Sequence, residues 1–176
     1  MSTLKVDTIS PKTSWTTDEI AGNTVSPTGS VLQVVVAGDA TGTTTTSTSH
    51  GDTSCTLTIT PTSASSNLLI LVTGELYGTG GNESNWFALG VKEASTQLTS
   101  SNCTGCDGNG DISEGCGNSY SPFGGNGYAR HTLHGQALRA ASSTDSRTYT
   151  VTFREVYSNG TTGYARGTIT VMEIAG

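Results

Sequence analysis

Charged side chains are scarce in this chain. They make up 12% of its 176 residues, about half the share of a typical soluble protein. The 8 Lys and Arg are scattered singly among 14 Asp and Glu, which gives a net charge of −6. A nucleic-acid binder needs clustered cations that displace the counterions of the phosphates. We therefore expect no nucleic acid among the partners.

Long apolar runs are also missing. The longest lies around Leu68–Val72 and is far shorter than the roughly 20 residues that a membrane-spanning helix needs. The opening stretch MSTLKVDTIS has neither the basic segment nor the apolar segment of a secretory signal peptide. We expect a protein that is made in the cytoplasm and does not insert into a membrane.

Motifs of the common enzyme classes do not occur in the sequence. It has no G-x-S-x-G, no H-E-x-x-H, no P-loop and no dinucleotide fingerprint. Its three histidines and its carboxylates follow no spacing that would pair them for acid–base work. We expect no enzymatic activity.

Threonine, serine, asparagine and 23 glycines carry the polarity instead. Threonine favours strands, whereas glycine, asparagine and serine favour turns. Strong helix formers are scarce. This composition predicts an all-β protein with many loops.

Strand patterns begin at residue 30. SVLQVVVAG is nearly all apolar, which predicts a strand covered on both faces. TSCTLTITP alternates cleanly and places Cys55, Leu57 and Ile59 on one inward face. Later, RTYTVTFREVY alternates with three residues pointing inward, namely Tyr149, Val151 and Phe153.

The remaining patterns complete the predicted fold. YARHTLHGQALRA fits a strand or a helix, and its flanking glycines favour a strand. SNGTTG is typical of a hairpin turn. Seven or eight strands separated by turns predict a β-sandwich or jelly-roll-like domain over residues 30–176.

Residues 1–29 differ from the rest. They hold one short strand pattern, Leu4–Ile9, followed by a stretch bracketed by two prolines. Such a segment cannot bury a core of its own, so it is either a disordered terminus or an arm that docks on another surface. Its apolar residues favour an extended docking arm: Leu4, Val6, Ile9 and Trp15.

Residues 102–127 form a glycine- and cysteine-rich insertion without a periodic pattern, which usually marks a functional or disordered loop. Aromatic faces among asparagine and glycine suit sugar stacking. The candidate receptor residues in or beside the glycine-rich loops are Trp86, Tyr120, Phe123 and Tyr128. Core packing is the alternative, and of the neighbours Trp86 and Phe87 only one can face inward.

Three cysteines lie in this insertion. Cys103 and Cys106 have C-x-x-C spacing, and Cys116 follows. They can be free, disulfide-bonded or bound to a metal, but a zinc site lacks its second cysteine pair. His131 and His134 fall on opposite faces of a strand and do not complete the ligand set. Cys55 is expected to be a core thiol.

The stretch DGNGDISE suggests a calcium loop. Asp107, Asn109 and Asp111 repeat the start of an EF-hand loop, and Glu114 is the further candidate ligand. The sequence departs from that motif because Ile112 and Asn118 stand where glycine and glutamate belong. Ordinary turn chemistry is the alternative. No other cofactor is expected.

Four segments taken together, MSTLKVDTI, PTGSVLQVV, SSNLLILVTGEL and TITVMEIAG, resemble short phage virion proteins of the tail fibre or appendage type. Such proteins are frequent in phages of cyanobacteria and marine bacteria. The resemblance covers both ends and the central strand but not residues 102–127. It implies a virion protein made in the host cytoplasm, usually a homotrimer, whose arm attaches to the virion or to other subunits.

Two functions fit this resemblance. The first is a fibre or appendage subunit, anchored by its arm through β-addition, whose β-domain binds the host surface, with surface polysaccharide as a candidate ligand. The second is a capsid decoration or cement protein that clamps the phage head and needs no receptor. A depolymerase acting on polysaccharide is a weaker third hypothesis.

Overall fold

The computed structural model describes residues 18–20, 23–25, 27–79, 84–118, 129–156 and 161–176. In these ranges the chain forms twelve strands. In chain order they are β1 (Asp18–Ile20), β2 (Asn23–Val25), β3 (Val31–Asp39), β4 (Thr43–Thr45), β5 (Gly51–Ile59), β6 (Asn67–Thr79), β7 (Ser84–Glu93), β8 (Thr96–Gln97), β9 (Asp111–Asn118), β10 (Ala129–Ala140), β11 (Arg147–Glu155) and β12 (Thr161–Ile174). The prediction of an all-β protein is confirmed.

Ten of these strands form two antiparallel sheets. Sheet I has the order β10-β6-β12-β3, with β4 also paired to β12. Sheet II has the order β5-β11-β7-β8, with β9 also paired to β7. The inner faces of both sheets contribute to one hydrophobic cluster. Two antiparallel sheets over one shared core are consistent with a β-sandwich.

Strand alternation decides which side chains reach the core. Cys55, Leu57 and Ile59 on β5 are at most 3% exposed, as the sequence predicts. On β11, Tyr149 and Val151 are fully buried, and Phe153 is 1% exposed. The inward assignments from the sequence are therefore confirmed.

The segment before residue 30 is described only in part. β1 and β2 pair antiparallel as a separate two-stranded sheet. The four residues proposed for the docking arm, Leu4, Val6, Ile9 and Trp15, lie outside the described residues. The docking arm stays a prediction.

Two sequence-based assignments are wrong. SNGTTG was expected to close a hairpin, but β11 lies in sheet II and β12 in sheet I, so the chain crosses between the sheets there. Part of the predicted 102–127 loop is also a strand, because β9 pairs with β7 from Ser84↔Asn118 onward. The ladder to β7 supplies strand structure that the glycine-rich sequence of β9 does not suggest.

The expectation for β3 is also wrong. Its nearly continuous apolar sequence predicted two covered faces, but Val34 is 51% and Val36 is 62% exposed. Among the described strands, β3 stands at the end of sheet I and pairs only with β12. One face packs on the core through Val35 and Ala37, and the other face is open in the isolated chain.

Across the described ranges, the structure contains no helix with the length and apolar character needed to cross a membrane.

Candidate functional site

The connection from β8 to β9 forms a compact loop, residues 98–110, called the cysteine loop below. Ser100 N donates to Asp107 O at 2.9 Å, and Asp107 N donates to Asp111 O at 3.0 Å. A disulfide between Cys103 and Cys106, with Cα atoms 6.0 Å apart, crosslinks its tip. These bonds give the loop a fixed internal shape.

The cysteine loop is also attached to the edge of sheet I. Thr104 and Leu138 of β10 exchange two backbone hydrogen bonds, at 2.9 and 2.7 Å. Gly105 makes this approach feasible: its φ is +96°, and a Cβ there would lie 2.4 Å from Gln136 O. A side chain at position 105 would push the loop away from β10.

A buried ion pair fixes the other end of the loop to sheet II. Arg154 Nε on β11 donates to Asp111 Oδ1 at 2.9 Å, and Arg154 Nη2 donates to Asp111 Oδ2. Asp111 is 5% and Arg154 8% exposed. A paired guanidinium and carboxylate of this kind are directional as well as strong, so they fix the start of β9 in position.

His50, the residue directly before β5, joins the same cluster. Its Nε2 lies 2.9 Å from Asp111 Oδ1, and its Nδ1 lies 3.1 Å from Thr152 Oγ1. Gly90 on β7 leaves the space for this packing, because a Cβ there would lie 2.6 Å from both His50 Cε1 and Gly110 O. Position 90 therefore does not admit a larger residue without displacing the cluster.

A polar pocket of about 470 Å³ lies beside this cluster. Its lining includes Lys92, Gln97, Asn109 and Asp52, with Lys92 Nζ and Asp52 Oδ2 in an ion pair. Gln97 Nε2 already donates to Gly110 O and Thr152 Oγ1. The pocket therefore offers the ammonium of Lys92 and the amide of Asn109 as donors next to the carboxylate of Asp52. This is a chemistry suited to a ligand with several hydroxyl groups.

The candidate calcium ligands have other contacts where the structure describes them. Asp107 Oδ1 accepts hydrogen bonds from Asn109 N at 2.8 Å and Asp111 N at 2.7 Å, which is an ordinary Asx turn. Asp111 is held by Arg154, and the side chain of Glu114 lies outside the described residues. Among the described residues no group of three His, Cys, Asp or Glu is arranged to hold a metal. The calcium site stays a prediction, and these contacts favour the turn.

The cysteine alternatives are partly resolved. Cys103 and Cys106 form a disulfide, which was one of the three options. The side chain of Cys116 lies outside the described residues. Cys55 is a buried thiol, 1% exposed, and burial raises its pKa.

Other sequence expectations concern β7 and β10. On β10, Leu133 and Ala137 face the core, so His131 lies on the inner side and His134 on the outer side, as predicted. Trp86 is 39% exposed whereas its neighbour Phe87 is fully buried, so only one of the two faces inward. The other candidate receptor residues lie outside the described residues: Tyr120, Phe123 and Tyr128.

A second surface was not expected from the sequence. The outer face of sheet I carries a cluster of apolar side chains, called the apolar band below. Its members are Val34, Val36, Leu69, Leu71, Leu138 and Met172. Each is an apolar residue of a strand, which by itself is typical of a core position. Only the pairing of the strands shows that all six share the outer face.

Charged residues continue the same outer face beyond the band. Glu75 on β6 pairs with Arg130 Nη1 at 2.7 Å and with Arg166 Nη2 at 2.7 Å. These two hydrogen-bonded guanidinium groups lower the pKa of Glu75, Arg166 contributing most. Arg130 also lies 6.0 Å from the centre of the Tyr77 ring. The outer face of sheet I thus has an apolar half and a charged half.

No protein-family model matches the chain, and no curated protein matches it either.

Proposed function

We propose that the chain is a structural virion protein, a tail fibre or appendage subunit whose β-domain attaches to the host surface. The cysteine loop is the observation that supports this function best. It is a surface loop held in one shape by a disulfide, by a ladder contact to Leu138 and by the buried Asp111–Arg154 pair. A loop preorganised on a rigid scaffold loses little entropy when it binds a ligand, which is what a recognition surface needs.

Host polysaccharide is the ligand class proposed for this surface. The pocket beside the loop places Lys92, Gln97 and Asn109 near Asp52. Neutral and charged groups in this arrangement can donate to and accept from neighbouring sugar hydroxyls. The half-exposed ring of Trp86 on β7 adds an aromatic surface on which a sugar can stack.

The resemblance to phage virion proteins supports a trimeric subunit with an attachment arm. The subunit is a homotrimer with a jelly-roll-like β-domain, and its first 29 residues form an arm that attaches to the virion by adding a strand to a neighbouring protein. The alternating stretch Leu4–Ile9 is suited to that pairing.

A capsid decoration or cement protein is the second candidate. The apolar band favours it, because a protein that clamps a phage head needs an apolar surface for its neighbours. The two candidates place the protein at different parts of the particle. Labelling intact virions with a specific antibody for electron microscopy separates them, since label on the head supports cement and label on the tail supports a fibre.

Attachment itself is tested by competition. The purified chain should occupy receptors and slow phage adsorption to cells, and the double variant Lys92→Ala with Asn109→Ala should compete less well. Thr144→Ala with Ser146→Ala, at exposed positions in the connection between β10 and β11, is the matched control. If the wild-type chain does not compete at any concentration, host attachment by this domain is wrong.

A further inference from the structure

We infer that the outer face of sheet I is the surface through which copies of this chain assemble, with the apolar band as its apolar half. It rests on the proposed function, which includes a homo-oligomeric state, and adds to it the surface used for assembly and the occupant of that surface. That occupant is a second copy of the chain.

Strand register brings the band together. One row of directly paired residues crosses all four strands, from Leu138 through Leu69 and Met172 to Val34. The next outward row contains Leu71 and Val36 with two polar residues, Gln136 and Thr170. Side chains paired in this way are neighbours about 5 Å apart, so the rows form a continuous apolar surface.

Exposure separates this surface from the core. Leu138 is 38% exposed, Val34 51% and Val36 62%, whereas Val171 on the other face of β12 is fully buried. Most large apolar side chains of high exposure in the described residues lie on sheet I, and β3 alone holds three of them. Scattered exposed apolar residues are normal, but a cluster on one flat face marks an interaction surface.

The sequence of β3 supports the same conclusion. Natural edge strands are usually protected from unwanted pairing by lysine, proline or an inward-pointing charge. β3 has the sequence VLQVVVAGD, in which the only charged residue is Asp39 at its last position. An apolar strand at the edge of a sheet, without protecting charges, is expected where another chain covers it.

The size of the face fits a second copy. β6 has 13 residues, and at about 3.3 Å per residue it is about 43 Å long. Four strands about 4.8 Å apart are about 19 Å wide, so the face covers about 800 Å². A standard protein–protein interface buries about 800 Å² on each partner.

The chemistry of the face fits a second copy as well. Interfaces between identical subunits have an apolar centre and a polar rim, with arginine enriched and lysine depleted. The charged half supplies a polar border on one side of the apolar band, where Glu75 pairs with Arg130 and Arg166, whose side chains are 65% and 68% exposed. On the four strands from β10 to β3 there is no lysine.

The experiment measures the mass of the full-length chain by light scattering over a range of concentrations. The test variant is Val34→Lys with Val36→Lys, and the matched control is Thr56→Lys with Thr58→Lys on the exposed face of β5. Wild type and control should be oligomers and the test variant a monomer with an unchanged β-sheet circular dichroism spectrum. Equal masses for wild type and test variant would overturn the proposed surface.

A milder pair guards against misfolding of the lysine variant. Val34→Thr with Val36→Thr keeps the shape and the strand preference of both residues, and it should weaken assembly by about tenfold or more, since two buried apolar groups are lost. No change in its dissociation constant also overturns the inference. A monomeric wild type also overturns the inference. Slow hydrogen exchange of β3 in that monomer would indicate that residues 1–17 of the same chain cover β3.

The adsorption test of the proposed function has a separate readout. Failure to compete with phage for cells, with the masses behaving as expected, would refute host attachment and leave the assembly surface in place. Competition by a chain that is monomeric at every concentration would do the opposite.

Discussion

Asp111 at the start of β9 and Arg154 on β11 form an ion pair that is nearly closed to solvent. Two nitrogens of the guanidinium donate to the two carboxylate oxygens, and His50 Nε2 approaches the same carboxylate at 2.9 Å. This pair holds one end of the cysteine loop against sheet II. It links the packing of the sandwich to the shape of the proposed receptor surface.

Replacing one member of the pair should be costly. Asp111→Asn leaves the buried charge of Arg154 without its counterion, and we expect a loss of about 3–5 kcal/mol in the free energy of unfolding. Urea denaturation at pH 7 measures it. The control is Asp107→Asn. In the described contacts, the Asp107 carboxylate accepts hydrogen bonds only within its own partly exposed turn. This variant should lose about 1 kcal/mol in the free energy of unfolding. Equal losses for the two variants would mean that the ion pair is not a major constraint.

Calcium should have little effect on the stability of the fold, because the carboxylate of Asp111 is already paired with Arg154. We expect the melting temperature to be the same in millimolar calcium chloride and in excess chelator. A ligand that binds only the folded state raises the melting temperature with its concentration. A calcium-dependent rise that disappears in Asp107→Asn would instead support the calcium loop suggested by the stretch DGNGDISE.

The core could be predicted from the sequence, because strand alternation has a period of two and the inward residues are apolar. Cys55, Leu57 and Ile59 show it on β5, where threonines occupy the other face. The same rule predicts that only one of the neighbours Trp86 and Phe87 faces the core, and that residue is Phe87. These predictions need only neighbouring residues along one strand.

The interaction surfaces could not be predicted in the same way, because they depend on pairing between distant strands. Nothing local to Val36 indicates that β3 stands at a sheet edge, or that Met172 and Leu69 continue its outer face. Asp111 and Arg154 are 43 residues apart and meet only after β9, β7 and β11 have paired. The signal for both was present only as an apolar excess in SVLQVVVAG and as an arginine, Arg154, next to the inward Phe153 on β11.

Loss of the disulfide should loosen the cysteine loop and leave the sandwich folded. Cys103→Ser with Cys106→Ser removes a disulfide whose cysteines are only 3 residues apart in the sequence. A crosslink over so short a loop restricts the unfolded chain little, so its loss should lower global stability by less than the usual range of about 2–4 kcal/mol. Hydrogen exchange should accelerate at Ser100 and Thr104 but not on β6. Adsorption competition should weaken in parallel.

The reduced wild-type chain is the control for that pair of substitutions. It should behave like the double variant, because both lack the crosslink and keep the ladder contact between Thr104 and Leu138. If exchange in the loop is unchanged by reduction, the backbone contacts alone fix its shape.

The docking arm is tested by charge placed on the apolar side of its alternating stretch. Leu4→Asp with Val6→Asp should leave the β-domain folded and prevent incorporation into virions, since a carboxylate cannot replace an apolar residue in a buried strand pairing. Thr3→Asp with Lys5→Asp places two carboxylates on the other side of the stretch and should be tolerated. Normal incorporation of the first variant, measured by immunoblot of purified particles, would refute the arm.

Glu173 on β12 should make the fold sensitive to acid. It is fully buried, and its carboxylate accepts hydrogen bonds from Ser66 Oγ at 2.5 Å, Gln33 Nε2 at 2.7 Å and Thr62 N at 2.8 Å. Burial raises its pKa, but these donors together with Ser63 N outweigh that effect and lower the pKa to about 2.

The sign of the pH dependence follows from this lowered pKa. The unfolded chain binds a proton at Glu173 near the usual pKa of 4.5, so the stabilisation is complete above that pH and is lost as the pH falls towards about 2. Glu173→Gln should cost about 1.5–3 kcal/mol at pH 7 because it removes the charge-assisted bonds. It should also flatten the decline in stability between pH 5 and pH 2 relative to wild type. A decline of the same slope in both chains, measured by urea denaturation at each pH, would show that other carboxylates govern acid unfolding.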